Sequence, residues 1–403
     1  MRSDLRQVLH EAAAVPRQPL DLDAILARSR RRRRRLGAIG AAGLVLACAA
    51  IVAVVAVLRT GPPDEPEPAP FAGFPAGWTA LPSPPEVRYE AAVGWTGDTV
   101  LMWSGSTPAG TSEPRSDGYA FDARANRWTA MPPSPLTPRM NPAAVWTGRE
   151  LLVWGGFSAT RPLADGGAYD PLRRSWRRLP AAPIDARAPL SVWTGDELIV
   201  WGTAARRPGP IPRDGAAYRP ATDSWRPIAA APIELTDATA VWTGREMVVF
   251  GAALGGNNNP ATPTAIGAAY DPATDTWRRL PDSTLSPQAS TAAWDGRDVV
   301  AWDYLTVAAA YDAGAGWRRL PAVPLPESEC VPRSVPLGGY VFGDHCGRMV
   351  LYDGDAGRWQ EVTRDGYAGW WFELVAAGPA VIVLGRDQTS GRQAVLAYRP
   401  PAR

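Results

Sequence analysis

The sequence predicts an all-β fold, a seven-bladed β-propeller preceded by a single transmembrane helix. Three observations carry this reading. A Trp-centred phrase returns seven times between residues 78 and 359, at spacings of 40–52 residues. Short β-prone runs and tight Gly turns fill the interval before each later copy. Residues 36–58 form 23 consecutive positions without a charge.

Composition agrees with a folded chain rich in turns. Of 403 residues, 46% are hydrophobic and 20% charged, which excludes disorder throughout. With 42 Pro and 39 Gly, about a fifth of the chain consists of turn-forming residues. The 18 Trp suit half-buried pleated surfaces.

The first segment, 1–35, reads as a cytoplasmic basic tail. Residues 1–36 hold ten Arg against four acids, and the charge is concentrated in the run from Arg30 to Arg35. That run stands directly before the apolar segment, and only Arg59 stands directly after it. The positive-inside rule then keeps the N-terminus cytoplasmic and puts the remainder outside. Arg30 to Arg35 meet anionic head groups in this arrangement, so no nucleic-acid partner is expected. The segment 36–58 is long enough to span a bilayer, at about 1.5 Å per residue. A cleavable signal peptide would have a shorter basic start and a shorter apolar stretch. Residues 59–76 are Pro-rich and acidic, an extended linker that lifts the next domain off the membrane.

Residues 77–403 carry the repeat. The phrase reads Trp78-Thr-Ala-Leu-Pro, then returns at Trp128, Trp176, Trp225, Trp277, Trp317 and Trp359. An aromatic stands seven residues before most of the later Trp (Phe121, Tyr169, Tyr218, Tyr270, Tyr352), with Tyr311 six before Trp317. Earlier in each unit a Val-Trp-Thr-Gly pattern, as at 145–148, marks a strand, a turn and a second strand. One unit is therefore four strands, the blade of a propeller. Six units are complete. The C-terminal stretch supplies three strands without a Trp phrase, and Trp78 belongs to a fourth strand without a blade. Joining these two fragments makes a seventh blade and removes an exposed sheet edge.

These residues resemble the kelch repeat family, whose propellers include the central domain of galactose oxidase. The resemblance covers about residues 78–400. It rests on Gly155-Gly156 after the second strand, the Tyr before the fourth strand and the Trp within it. In the other units one Gly of the pair is lost, as in Trp103-Ser-Gly and Trp201-Gly-Thr. The family's copper chemistry is not carried over. The chain has only two His, His10 and His345, and His10 falls in the cytoplasmic tail. No metal, cofactor or catalytic residue is expected. The three Cys and two His also exclude zinc fingers and multi-His metal sites.

The resemblance implies a binding role at the face formed by the loops between second and third strands and between blades. The first kind is long at 104–118, 155–167, 202–215 and 251–267, the last carrying Asn257 and Asn258. Arg88, Arg139, Arg187 and Arg333 stand in the inter-blade loops. They have the chemistry to grip an acidic peptide or a carboxylated sugar; the alternative is that each pairs within its own blade. Cys330 and Cys346 flank a strand outside the cytoplasm and are expected to form a disulfide. The expectation is a membrane-tethered, extracytoplasmic, non-catalytic module binding an envelope protein or glycan on its loop face. The alternatives are an envelope sugar-modifying enzyme, or a sensor signalling through residues 1–35.

Overall fold

The computed structural model describes residues 70–71, 74–107, 113–202, 211–253, 264–286, 290–328, 330–364, 369–387 and 390–401. The expected tail and transmembrane segment lie outside them. Among the described residues no helix is long and apolar enough to cross a membrane.

All regular structure in the described residues is β. Strand β1 (Gly77–Leu81) stands alone at the start. Blade 1 is β2 (Ala92–Trp95), β3 (Thr99–Trp103), β4 (Gly118–Asp122) and β5 (Arg127–Ala130). Blade 2 is β6 (Ala143–Trp146), β7 (Leu151–Trp154), β8 (Gly166–Asp170) and β9 (Ser175–Arg178). Blade 3 is β10 (Leu190–Trp193), β11 (Leu198–Trp201), β12 (Gly215–Arg219) and β13 (Ser224–Ile228). Blade 4 is β14 (Thr236–Trp242), β15 (Met247–Ala252), β16 (Ile266–Asp271) and β17 (Thr276–Arg279). Blade 5 is β18 (Ser290–Trp294), β19 (Val299–Asp303), β20 (Ala308–Asp312) and β21 (Gly316–Arg319). Blade 6 is β22 (Arg333–Leu337), β23 (Tyr340–His345), β24 (Arg348–Asp353) and β25 (Arg358–Val362). The last strands are β26 (Gly369–Ala377), β27 (Ala380–Asp387) and β28 (Gln393–Arg399).

Each blade is a four-stranded antiparallel sheet, and the seventh has the order β26-β27-β28-β1. Trp78 pairs with Tyr398 and Leu81 with Val395, so the first strand completes the last blade as expected. The innermost strands β2, β6, β10, β14, β18, β22 and β26 touch in turn, and β26 returns to β2. The ring is closed.

Local chemistry accounts for the turns. The first turn of blades 1–5 holds Gly97, Gly148, Gly195, Gly244 and Gly296 at φ between 87° and 111°. That backbone region penalises any residue with a Cβ. In blades 2–4 the preceding Thr hydroxyl accepts the N–H three residues on, as Thr147 does from Glu150 at 2.9 Å. The outer turns of blades 1, 2 and 4–6 begin on Asp, and that of blade 3 on Arg219. Asp122, Asp312 and Asp353 each accept two backbone N–H groups through one carboxylate oxygen.

The repeated phrase is explained by contacts between blades. Trp103, Trp154, Trp201 and Trp302, with Phe250, stand at or near the end of the second strands of blades 1–5 and are fully buried. Each packs on the outer-strand Trp of the following blade, with ring centroids 5.1–6.0 Å apart. The outer Trp also donates its indole N–H backwards. Trp128 reaches Pro82 O at 2.7 Å, Trp176 reaches Pro132 O and Trp225 reaches Pro180 O. The Trp and the Pro of one phrase thus serve two different junctions.

A second link was not read from the sequence. The Arg after Trp in blades 2–4 is held by a carboxylate of its own first turn and donates to a Tyr hydroxyl of the next blade. Arg177 joins Glu150 to Tyr218, Arg226 joins Glu197 to Tyr270, and Arg278 joins Glu246 to Tyr311. In blade 5 Arg318 pairs with Asp298 in the same way. Blade 1 has Thr129 and blade 6 has Gln360 at this position, so their junctions lack the link. The Arg226→Met variant is expected to lose about 1–2 kcal/mol, because Glu197 is buried and would keep only Arg219 as a partner. Urea unfolding midpoints read this directly.

The end of the Pro-rich stretch is docked on the propeller. Phe71 is buried against Trp95, with centroids 5.7 Å apart, and Arg399 donates to Phe74 O at 2.6 Å.

Candidate functional site at the channel mouth

The repeat defines what each position should hold, so departures from it stand out. In blades 1–5 the buried aromatic at or near the end of the second strand faces an innermost-strand residue across the ladder. The pairs are Ala92 with Trp103, Ala143 with Trp154, Leu190 with Trp201, Thr239 with Phe250 and Thr291 with Trp302. In blade 6 the same pair is Arg333 with Asp344, and in blade 7 it is Glu373 with Leu384. Two neighbouring blades thus carry ionisable groups where the others carry apolar residues or Thr. Both innermost members stand on the strands that ring the propeller axis.

Cross-strand partners point to the same face of a sheet, so Arg333 and Asp344 share one face. That face of blade 6 packs toward blade 7, since Phe342 and Leu351 on it join a cluster with Leu374 and Val383. Asp344 takes the place of an aromatic there and is 6% exposed. Gly347 N–H donates to its Oδ1 at 3.0 Å. Burial pushes its carboxyl up to about 7, opposed by the positive charge of Arg333. Glu373 faces blade 1. Ala91 N–H donates to its Oε1 at 3.2 Å. Burial raises this carboxyl to about 7 as well, again opposed by Arg333, while Glu90 adds repulsion. Glu90 itself holds a left-handed backbone, φ 56°. Its carbonyl accepts Asn141 N–H at 2.9 Å, linking blade 1 to blade 2.

The arrangement is therefore one exposed guanidinium whose field reaches two carboxyls, each poised to gain or lose a proton near neutrality. Such a group of side chains can hydrogen-bond a ligand as donor or acceptor and can change charge with pH.

Next to Asp344, His345 is buried, with its ring 5.6 Å from that of Trp302 in an edge-to-face contact. Ser328 Oγ lies 2.9 Å from His345 Nε2. Desolvation lowers the His345 pKa and so favours the neutral ring. Asp303, the neighbour of Trp302, is buried and raised by desolvation, although Ser286, Leu305 and Val307 donate backbone N–H groups to it.

Three of the four arginines read from the sequence have a different environment from Arg333. Arg88, Arg139 and Arg187 are 1%, 0% and 3% exposed. Arg88 pairs with Asp117 at 2.9 Å and donates to Ser104 O. Arg139 uses its guanidinium on Asp165 Oδ1, Asp165 O, Gly155 O and Thr137 O. Arg187 grips both oxygens of Asp214, at 2.7 and 3.2 Å. Each Asp stands just before the third strand of its own blade, so these guanidiniums tie the inter-blade loop to that strand. What they leave toward solvent is carboxylate: Asp117, Asp165 and Asp214 are 38–51% exposed. Arg333 alone is exposed, at the start of an innermost strand. Asn257 and Asn258 lie outside the described residues.

Asp344 and Glu373 were missed in the sequence reading. The signal available was Phe342-Gly-Asp344 in the sixth unit, standing where earlier units read Val-Trp.

The expected disulfide is present. Cys330 and Cys346 are bonded, with Cα atoms 5.6 Å apart. Replacing both by Ser is expected to cost about 3 kcal/mol in the chain-entropy model, read as a lower melting temperature.

No family model matches the chain, and no curated protein matches its sequence. Among solved structures, YjhT matches over 71% of this chain and 100% of its own, with 16% sequence identity and a TM-score of 0.51. The chain is similar to YjhT in fold, a seven-bladed β-propeller.

Proposed function

We propose that the propeller is a non-catalytic binding module, held outside the cell membrane by residues 36–58, that takes an envelope protein or glycan at the channel mouth. The observation that carries this reading is the replacement of apolar repeat positions by Arg333, Asp344 and Glu373 in adjacent blades. A packing role alone would be served better by the aromatic that blades 1–5 place at the Asp344 position and by the Ala, Leu or Thr that they place at the Arg333 and Glu373 positions, since buried ionisable groups cost stability. The kelch resemblance supports the same reading, because binding is that family's usual role.

The test is in-cell photocrosslinking of the full-length protein with a photoreactive residue at Val331, which is 65% exposed beside Arg333. The control is Leu172, on an outer turn at the opposite end of the blades and 92% exposed. A discrete adduct from position 331 that Arg333→Ala abolishes supports the proposal. Equal capture from both positions, or none from either, counts against it.

One observation favours a second reading, an envelope sugar-modifying enzyme. Two carboxyls titrating near 7 are suited to proton transfer. Captured glycan recovered with altered mass or linkage would select this reading.

A further inference from the structure

We propose that Cys330–Cys346 is a redox modification site, opened by a dithiol reductant, with Cys346 as the leaving sulfur. The inference stands whether or not the channel mouth binds a ligand.

The geometry comes from three neighbours. Cys346 is exposed and Cys330 half-buried, so the bond is reachable from solvent. Ser328 Oγ lies 3.1 Å from Cys346 Sγ and 2.9 Å from His345 Nε2. Cys330 N–H donates to the same Oγ at 3.2 Å and holds it in place. The hydroxyl has one proton and two acceptors in reach. A neutral His345 accepts it while the disulfide is intact, and the sulfur accepts it once negative charge appears there.

The chemistry follows from that placement. A thiolate of the reductant attacks Cys330 Sγ and forms a mixed disulfide. The S–S bond breaks, and its electron pair leaves on Cys346 Sγ, stabilised by the Ser328 hydroxyl. Exchange is faster when the leaving thiolate is stabilised. The second thiol of the reductant then attacks the mixed disulfide and releases Cys330. The protein gains two electrons and two protons, and the reductant becomes a disulfide.

Reduction also has a local structural consequence. Cys346 and Gly347 both hold left-handed backbone, φ 54° and 83°, and Gly347 N–H is bonded to Asp344. The bond ties this turn to Cys330. Breaking it frees the turn whose Gly347 N–H is bonded to Asp344, so the redox state of blade 6 is transmitted to the channel mouth.

The experiment uses the full-length protein in nanodiscs, treated with dithiothreitol under native conditions. Isotope-coded iodoacetamide reads the cysteines over time by peptide mass spectrometry, which separates both from Cys48. Near-UV circular dichroism monitors the fold. The expected result is complete labelling of Cys330 and Cys346 while the propeller stays folded. Ser328→Ala should slow labelling by about threefold to tenfold, and Ser328→Thr should restore the rate. Labelling that requires denaturant, or an unchanged rate in a folded Ser328→Ala protein, overturns the proposal. If Ser328→Ala does not fold, a His345→Gln variant that labels at the wild-type rate overturns the relay.

Discussion

A chain shortened to begin at residue 83 is expected to lose cooperative folding or to melt at least 10 °C lower, as a consequence of about 5 kcal/mol or more. The shortened chain lacks β1, which pairs with β28 along five residues. It also lacks Leu81, which is buried, and Trp78, whose ring packs at 5.0 Å on Tyr398 and 6.1 Å on Phe342. The loss reaches blade 1 as well, because Trp128 donates its indole N–H to Pro82 O, at the end of the β1 phrase. A domain's net stability is of the same order as this loss. Thermal unfolding followed by near-UV circular dichroism checks it. A melting temperature within 2 °C of the intact chain would mean that three strands suffice for blade 7.

Stability is expected to fall as pH rises from about 5.5 to 8, by on the order of 2–4 kcal/mol. Asp344 and Glu373 titrate near 7 in the folded chain, against about 4 in an unfolded one. The folded state therefore holds these protons more tightly. The stabilisation is complete below about pH 4 and is lost as pH rises through 7. Asp303 is raised in the same direction. Asp117, Glu197 and Asp275 are lowered, so their contributions vanish at the other end, as pH falls below about 4. Asp344→Asn combined with Glu373→Gln should at least halve the loss between pH 5.5 and 8. An unchanged slope in that double variant would remove these two carboxyls as the cause.

The two predictions differ in how far the sequence reaches. Trp78 without a blade before it, and three strands without a Trp phrase after Trp359, already imply ring closure. The disulfide was legible for a similar reason, since Cys330 and Cys346 flank one strand. The channel mouth was not. Arg333 was read as one of four equivalent rim arginines. The structure separates it from Arg88, Arg139 and Arg187, which are buried on Asp117, Asp165 and Asp214. Arg88, Arg139 and Arg187 stand three or four residues before Ala92, Ala143 and Leu190, whereas Arg333 occupies that innermost-strand position itself. The segment before the third strand of the same blade differs as well. Blades 1–3 supply an Asp there; in blade 6 the second and third strands are joined by Cys346 and Gly347 alone.

The blade, the number of blades and the way the ring closes are legible in the chain before it folds, because those are properties of a period. A Trp every 40–52 residues, with a Tyr before it and a Pro after it, encodes contacts that each blade makes only with its neighbours. Which polar residues meet depends on the folded ring. Ala91 and Glu373 are 282 positions apart, yet hydrogen-bonded, because ring closure sets blade 7 against blade 1. Strand register puts Arg333 opposite Asp344, and packing against blade 7 removes Asp344 from water. Closure, register and desolvation act between segments distant in the chain, and no local pattern in the sequence encodes their sum.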